Sequence, residues 1–431
     1  MFFLMSMLLS PGMFRASTSY LPSSFAMYTT MLGMAAFINW RGGLKTAQGI
    51  FWFAVGGVLG WPFSMALALP FLLEEFIFAV VSSRDALPSA AMRIIRGIVA
   101  ALLVVAAEVG VSSFFYNKLE LVPLNIVLYN VFAGEGRGPN IYGTEPWHFY
   151  FRNLLLNFNI WFILALSAIP LFGLMKLLNR DRQSPTTGLR TVIFMSPFYL
   201  WLLIFSIQPH KEERFMYPAY PALCLNAAMA LHIILSHLGQ SNPKTLVGKI
   251  PPGLKHLAVV STMMLSINLG LARIYGTYEA YRAPMSIYES LSLGDSGVHI
   301  GGAGDTVCYG KDWYRFPTHY FLPNGMRAKF IKSDFDGLLP GEFADAGQAG
   351  LGRRPGTWMV PSGMNDLNQE DMGKYVSYSY LDISEAKVKL TRPDRCQELQ
   401  LPRRYLLSRF RTIRERTSIH ARPEELGDRH L

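Results

Sequence analysis

The chain has 431 residues, 51% of them hydrophobic and only 16% charged, with a mean hydropathy of +0.22. That balance excludes an ordinary soluble enzyme and points to a polytopic membrane protein. The formal charge of +10 does not indicate nucleic acid: 22 of the 40 basic residues lie from Arg273 onward, mixed with acids and without a basic patch interleaved with stacking aromatics.

Taken in chain order, residues 1–14 (MFFLMSMLLSPGMF) are apolar but lack a basic leader. They make a poor secretory signal and read as the back end of a membrane helix whose front is missing. A window of about 20 residues then predicts spans at 21–39, 97–117, 153–177, 191–207, 215–238 and 256–275. Gly49 to Val81 is 33 residues long with Trp61-Pro62 near its middle. Because Pro disrupts a helix interior, a broken hairpin of two crossings is expected there, giving about eight spans.

Loop charges agree with that count. The loops at 40–48, 82–96, 176–190 and 239–256 hold twelve basic residues, and the alternate short loops hold half as many, among them Arg15, Lys118, Arg137, Lys211 and Arg214. The positive-inside rule puts the first set in the cytosol. It puts the 118–152 loop, the 208–214 segment and everything after 276 on the lumenal or exterior side.

Between two apolar stretches stands Gln208-Pro209-His210-Lys211-Glu212-Glu213-Arg214-Phe215-Met216-Tyr217-Pro218. Five consecutive ionisable side chains at a bilayer boundary are costly unless they pair or meet a charged ligand. His210, Lys211 and Arg214 are candidates for phosphate, and Glu212 and Glu213 for sugar hydroxyls or proton movement. The plainer reading is an interfacial loop that keeps two helices from merging.

From 276 to about 400, Gly, Pro and aromatic residues punctuate short segments, as in DTVCYGKDWYRF, and predict a lumenal α+β or mainly β domain. Residues 401–431, with RRYLLSRFRTIRER at 403–416, read as a basic tail with little order. Of three cysteines, Cys224 falls in a predicted span, while Cys308 and Cys396 share the lumenal side and are free to pair or not. The nine histidines are scattered, with no HExxH, CxxC or P-loop, so no metal or cofactor is expected.

The run His210 to Pro218 resembles the HKEERF-x-x-P pattern of the glycosyltransferase family 22 mannosyltransferases of the endoplasmic reticulum. Four further segments are similar to the branch that extends the N-glycan precursor by α-1,2 transfer: Phe14–Thr30, Leu59–Phe63, Tyr142–Trp147 and Asn157–Asn159. The tail adds Val307–Pro317 and Met364–Asn368, so the likeness covers about residues 10–400. The resemblance implies an all-α polytopic fold of the GT-C type with a lumenal active site in the endoplasmic reticulum membrane. It implies dolichyl phosphate mannose as donor, a dolichyl-diphosphate oligosaccharide as acceptor, inversion at the anomeric carbon, and no cofactor.

On that footing Lys211, Arg214 and His210 would stabilise the departing dolichyl phosphate, and Glu212 and Glu213 would hold sugar hydroxyls or balance charge. Tyr142, Glu145, Trp147 and His148 occupy a second lumenal loop whose aromatic faces suit a pyranose. The competing use of Trp147 is anchorage at the bilayer interface. In the family an acidic pair in the first lumenal loop is thought to supply the catalytic base, and nothing before Met1-Phe2-Phe3 matches it. The catalytic residue is therefore unassigned, and the chain is expected to be an N-terminally truncated member. Neither Glu108 nor Glu74-Glu75 is promoted to base. Two alternatives stay open: a sibling acting on the glycosylphosphatidylinositol precursor or forming the α-1,6 linkage, and a catalytically inactive membrane relative.

Overall fold

Proline placement sets where many of the helices begin, since Pro at the first helical position sacrifices no hydrogen bond. The computed structural model describes residues 1–39, 45–81, 86–116, 118–132, 138–178, 185–239, 242–243, 245–282, 306–309, 318–322, 324–330 and 389–391. Two compact units are present, one of 1–280 with 343–360 and one of 281–342 with 361–431.

In the first unit the helices are α1 (Phe2–Leu9), α2 (Pro11–Thr18), α3 (Pro22–Ile38), α4 (Thr46–Leu59), α5 (Leu69–Val81), α6 (Ala86–Tyr116) and α7 (Val122–Phe132). They continue as α8 (Phe149–Phe158), α9 (Ile160–Leu178), α10 (Pro185–Ile207), α11 (Tyr220–Leu238) and α12 (Pro252–Tyr281). Tight 3-10 turns at Pro62–Ala68 and Glu213–Ala219 lead directly into α5 and α11.

Six described segments are long and apolar enough to cross a membrane: 62–81, 86–116, 160–177, 187–207, 213–238 and 252–281. A seventh arises if α2 and α3, bent by 109°, count as one broken span. Such a set fits a multi-pass membrane protein. The helix expected to break at Trp61-Pro62 does break there. However, α4 has only 14 residues, fewer than the ~20 of a full crossing.

Two expectations need correction. The span placed at 153–177 is split, because Asn159 takes φ 40°, ending α8 and starting α9. Its side chain makes the break tolerable, with Oδ1 accepting from Ile160 N at 2.7 Å. The 118–152 segment also contains an apolar helix, α7, where only a loop was expected.

Within the bundle, each helix-internal proline has a neighbour that answers the carbonyl it leaves without a donor. Pro170 frees Leu166 O, and the Tyr199 hydroxyl of α10 stands 3.1 Å away. Pro197 frees Ile193 O, which accepts from Ser196 Oγ at 2.8 Å. The core is aromatic, with Tyr150, Phe158, Trp161, Phe198, Trp201 and Tyr220 fully buried. Adjacent carboxylates on α5 reach two other helices: Glu74 Oε1 is 2.6 Å from Arg190 Nε on α10. Glu75 Oε1 accepts from Arg93 Nε on α6 at 2.8 Å.

In the second unit, β1 (Thr306–Tyr309) lies between β2 (Arg327–Phe330), parallel to it, and β3 (Lys389–Thr391), antiparallel. The remaining expectations for 276–400, and those for 401–431 and Cys396, lie outside the described residues.

Candidate functional site

The charged segment follows α10 and rests on an aromatic floor. Phe215 stacks on Trp61, with ring centroids 5.0 Å apart, and its carbonyl accepts from the buried Trp201 Nε1 at 2.9 Å. Trp61 also meets Phe205 at 5.4 Å and Trp201 at 5.8 Å. The break between α4 and α5 thus delivers an indole beneath the loop. Gly60 permits it, since a Cβ there would come within 2.7 Å of Gly56 O.

The segment closes onto residues 143–145 through backbone as much as side chain. Glu145 N donates to Pro209 O at 2.9 Å, and Lys211 Nζ donates to Glu145 O at 2.9 Å and to Gln208 O. Burial pushes the Lys211 ammonium below its usual range. His210 places Nδ1 2.7 Å from Gly143 O and Nε2 3.2 Å from Glu212 Oε1. The hydrogen bond to Glu212 outweighs burial and raises the His210 pKa. Burial acts to raise the Glu212 carboxyl, but the hydrogen bonds from His210 and Arg214 prevail and hold it low.

Arg214 grips Glu212 with both arms of its fork, Nε to Oε2 at 2.6 Å and Nη2 to Oε1 at 2.8 Å. Its side chain is 46% exposed, whereas His210 and Lys211 are buried, so Arg214 is the cation of this segment open to a ligand. Glu213 is held from two other elements: Arg15 Nη1 reaches Oε1 at 2.8 Å and Asn153 Nδ2 reaches Oε2 at 3.0 Å.

The structure therefore brings His210, Lys211, Glu212, Glu213 and Arg214 together with the backbone of Glu145. Tyr142 is nearby, its ring 6.2 Å from that of His210. Trp147 is 67% exposed and packs edge-on against His148 and Phe151, at 5.6 and 5.7 Å. Sequence reading missed Arg15, Tyr150 and Asn153. A signal existed for the last two: Tyr150, Asn153 and Asn157 recur at helical spacing in a stretch that is apolar apart from these and Arg152. Elsewhere Glu74 and Glu75 are engaged with arginines, and Glu108 accepts from Ser112 Oγ at 2.7 Å. Among the described residues no group of three or more His, Cys, Asp or Glu side chains is placed to hold a metal.

The model of the Alg9-like mannosyltransferase family matches residues 1–323. The alpha-1,2-mannosyltransferase alg9 of Schizosaccharomyces pombe is 41% identical over 376 residues, 86% of this chain and 63% of that protein. Alpha-1,2-mannosyltransferase ALG9 of Homo sapiens is 37% identical over 385 residues, 86% of this chain and 58% of its own. GPI mannosyltransferase 3 of Drosophila melanogaster is 28% identical over only 131 residues, 30% of this chain. The chain spans about three fifths of the length of the curated relatives it matches. No solved structure matches.

Proposed function

Because the chain belongs to the Alg9-like mannosyltransferase family, we propose that it transfers mannose from dolichyl phosphate mannose to the dolichyl-diphosphate oligosaccharide precursor of N-glycans, in α-1,2 linkage. The observation that carries this reading is Arg214. It is a guanidinium fixed bidentately by one carboxylate, half-exposed, at the mouth of a loop that is otherwise internally satisfied. A planar, oriented fork suits a phosphate monoester leaving with its negative charge, and it needs no reorganisation as that charge develops.

His210 and Lys211 serve this site by fastening the segment to residues 143–145. Tyr142 and Trp147, both well exposed on the facing loop, are placed in this reading as the sugar platform, and Glu212 balances charge. The site faces the lumen of the endoplasmic reticulum, with the basic loops in the cytosol. Residues 276–431 lie on that same lumenal side in this reading.

The test is mannose transfer to a dolichyl-diphosphate acceptor at matched protein levels. Arg214→Ala removes a charge-assisted bond worth roughly 1.5–3 kcal/mol, about a ten- to hundredfold loss of rate. Arg214→Lys recovers only part of it, since a point charge replaces a planar fork. Full turnover by folded Arg214→Ala would reduce the segment to a spacer.

A further inference from the structure

Helix α8 carries Tyr150, Asn153 and Asn157 at a spacing that places three polar groups on one face. That face meets the charged segment. The Tyr150 hydroxyl donates to Glu212 O at 3.1 Å, and Asn153 Nδ2 donates to Glu213 Oε2 at 3.0 Å. Asn157, only 1% exposed, donates its own Nδ2 to Asn153 Oδ1 at 3.3 Å. This prop leaves the Asn153 nitrogen as the end turned to the carboxylate. The other oxygen of Glu213 is taken by Arg15, which also donates to Thr277 Oγ1 of α12 at 3.1 Å.

Both oxygens of Glu213 are therefore committed inside the protein, and Glu213 opens the 3-10 turn whose second residue is Arg214. A carboxylate held at two points cannot swing about its side-chain torsions, so the backbone it belongs to is fixed in direction. With Arg15 alone, Glu213 keeps an ion pair but gains a free rotation. The turn that carries the Glu212–Arg214 pair then samples several directions rather than one.

We propose that Asn153, propped by Asn157, is a positioning residue for donor binding: it clamps Glu213 against Arg15 so that Arg214 is presented in one orientation to a phosphate-bearing lipid donor. The proposal rests on the reading of Arg214 given above. Asn153 touches no substrate; it acts through Glu213.

Asn153→Asp is isosteric and sets a second carboxylate against Glu213, and adding Glu213→Gln restores a donor–acceptor pair. Both are measured in the full chain, by hydrogen exchange of the 210–216 amides and by separate KM values for donor and acceptor. Expected for the single variant are faster exchange in 210–216 and a KM for dolichyl phosphate mannose raised about tenfold or more, the scale of one bond to a charged group. The acceptor KM stays unchanged, and the double variant recovers most of both effects. Asn157→Leu, uncharged and similar in size, removes only the prop and should raise the donor KM less, in the same direction. A purely structural role would lower kcat through lost protein and leave both KM values alone, and that result overturns the proposal. So does exchange at the wild-type rate with transfer intact. Failure of the wild-type chain to bind dolichyl phosphate mannose, with the exchange effect present, instead removes the donor reading itself.

Discussion

At His210 both ring nitrogens face acceptors, the Gly143 carbonyl and the Glu212 carboxylate. Only the doubly protonated ring donates to both. Its folded-state pKa is raised above the ordinary 6.5, by the Glu212 bond against burial, with Arg214 opposing weakly. The stability this contributes is complete below pH 6.5 and is lost as pH rises through the raised value. The Glu212 shift is downward from 4.5, so its contribution persists above that value and fails only in acid. The neighbouring Lys211, its pKa lowered by burial, acts in the opposite sense, because its burial penalty is relieved as rising pH removes the proton. Hydrogen exchange in 143–145 and 208–212 should therefore quicken as pH passes the His210 transition, after correction for intrinsic rates. His210→Gln should flatten that step, and an unchanged step would assign it to another group.

Helices α3 and α4 show why small residues matter when lipid supplies no hydrophobic drive between spans. A Cβ at Gly56 would stand 2.0 Å from Thr29 Oγ1 and 3.5 Å from Ala26 Cα. Gly56→Ala should cost about 1–3 kcal/mol by overpacking, read as a lower melting midpoint in detergent. Thr29→Ala should restore part of it; no recovery would show that the contact is not the cause. The element level was also unevenly legible in sequence. The break at Trp61-Pro62 announced itself through proline, and the long spans through their apolar length. The break at Asn159 did not, since one residue at φ 40° leaves hydropathy unchanged. The site divides the same way. His210 to Arg214 stood out as charges in an apolar surround, whereas Arg15 enters only through pairing across 198 positions, and the helical spacing that marks Asn153 does not reveal its partner 60 positions away. No local pattern encodes such a pairing.

At the scale of the whole molecule, the proposed orientation rests on the basic loops, twelve cations against six on alternate sides. A glycosylation acceptor inserted near Gly356 should be modified in cells, and one near Thr186 should not. The reverse pattern would invert the protein in its membrane and take the charged segment off the lumenal side.

The two ion pairs of α5 bear on how such a chain can diverge. Glu74 with Arg190 and Glu75 with Arg93 join three helices from neighbouring positions. Arg190 lies 17 residues before the end of α10, about 25 Å along the helix from the charged segment. Replacing either arginine alone strands a buried carboxylate at about 3–5 kcal/mol, a large part of a domain's net stability. A lineage can leave this arrangement only through paired exchanges or through an intermediate already stabilised elsewhere. Far from the chemistry, these four residues then act as a ratchet on descent, slowing drift at positions that no substrate ever touches.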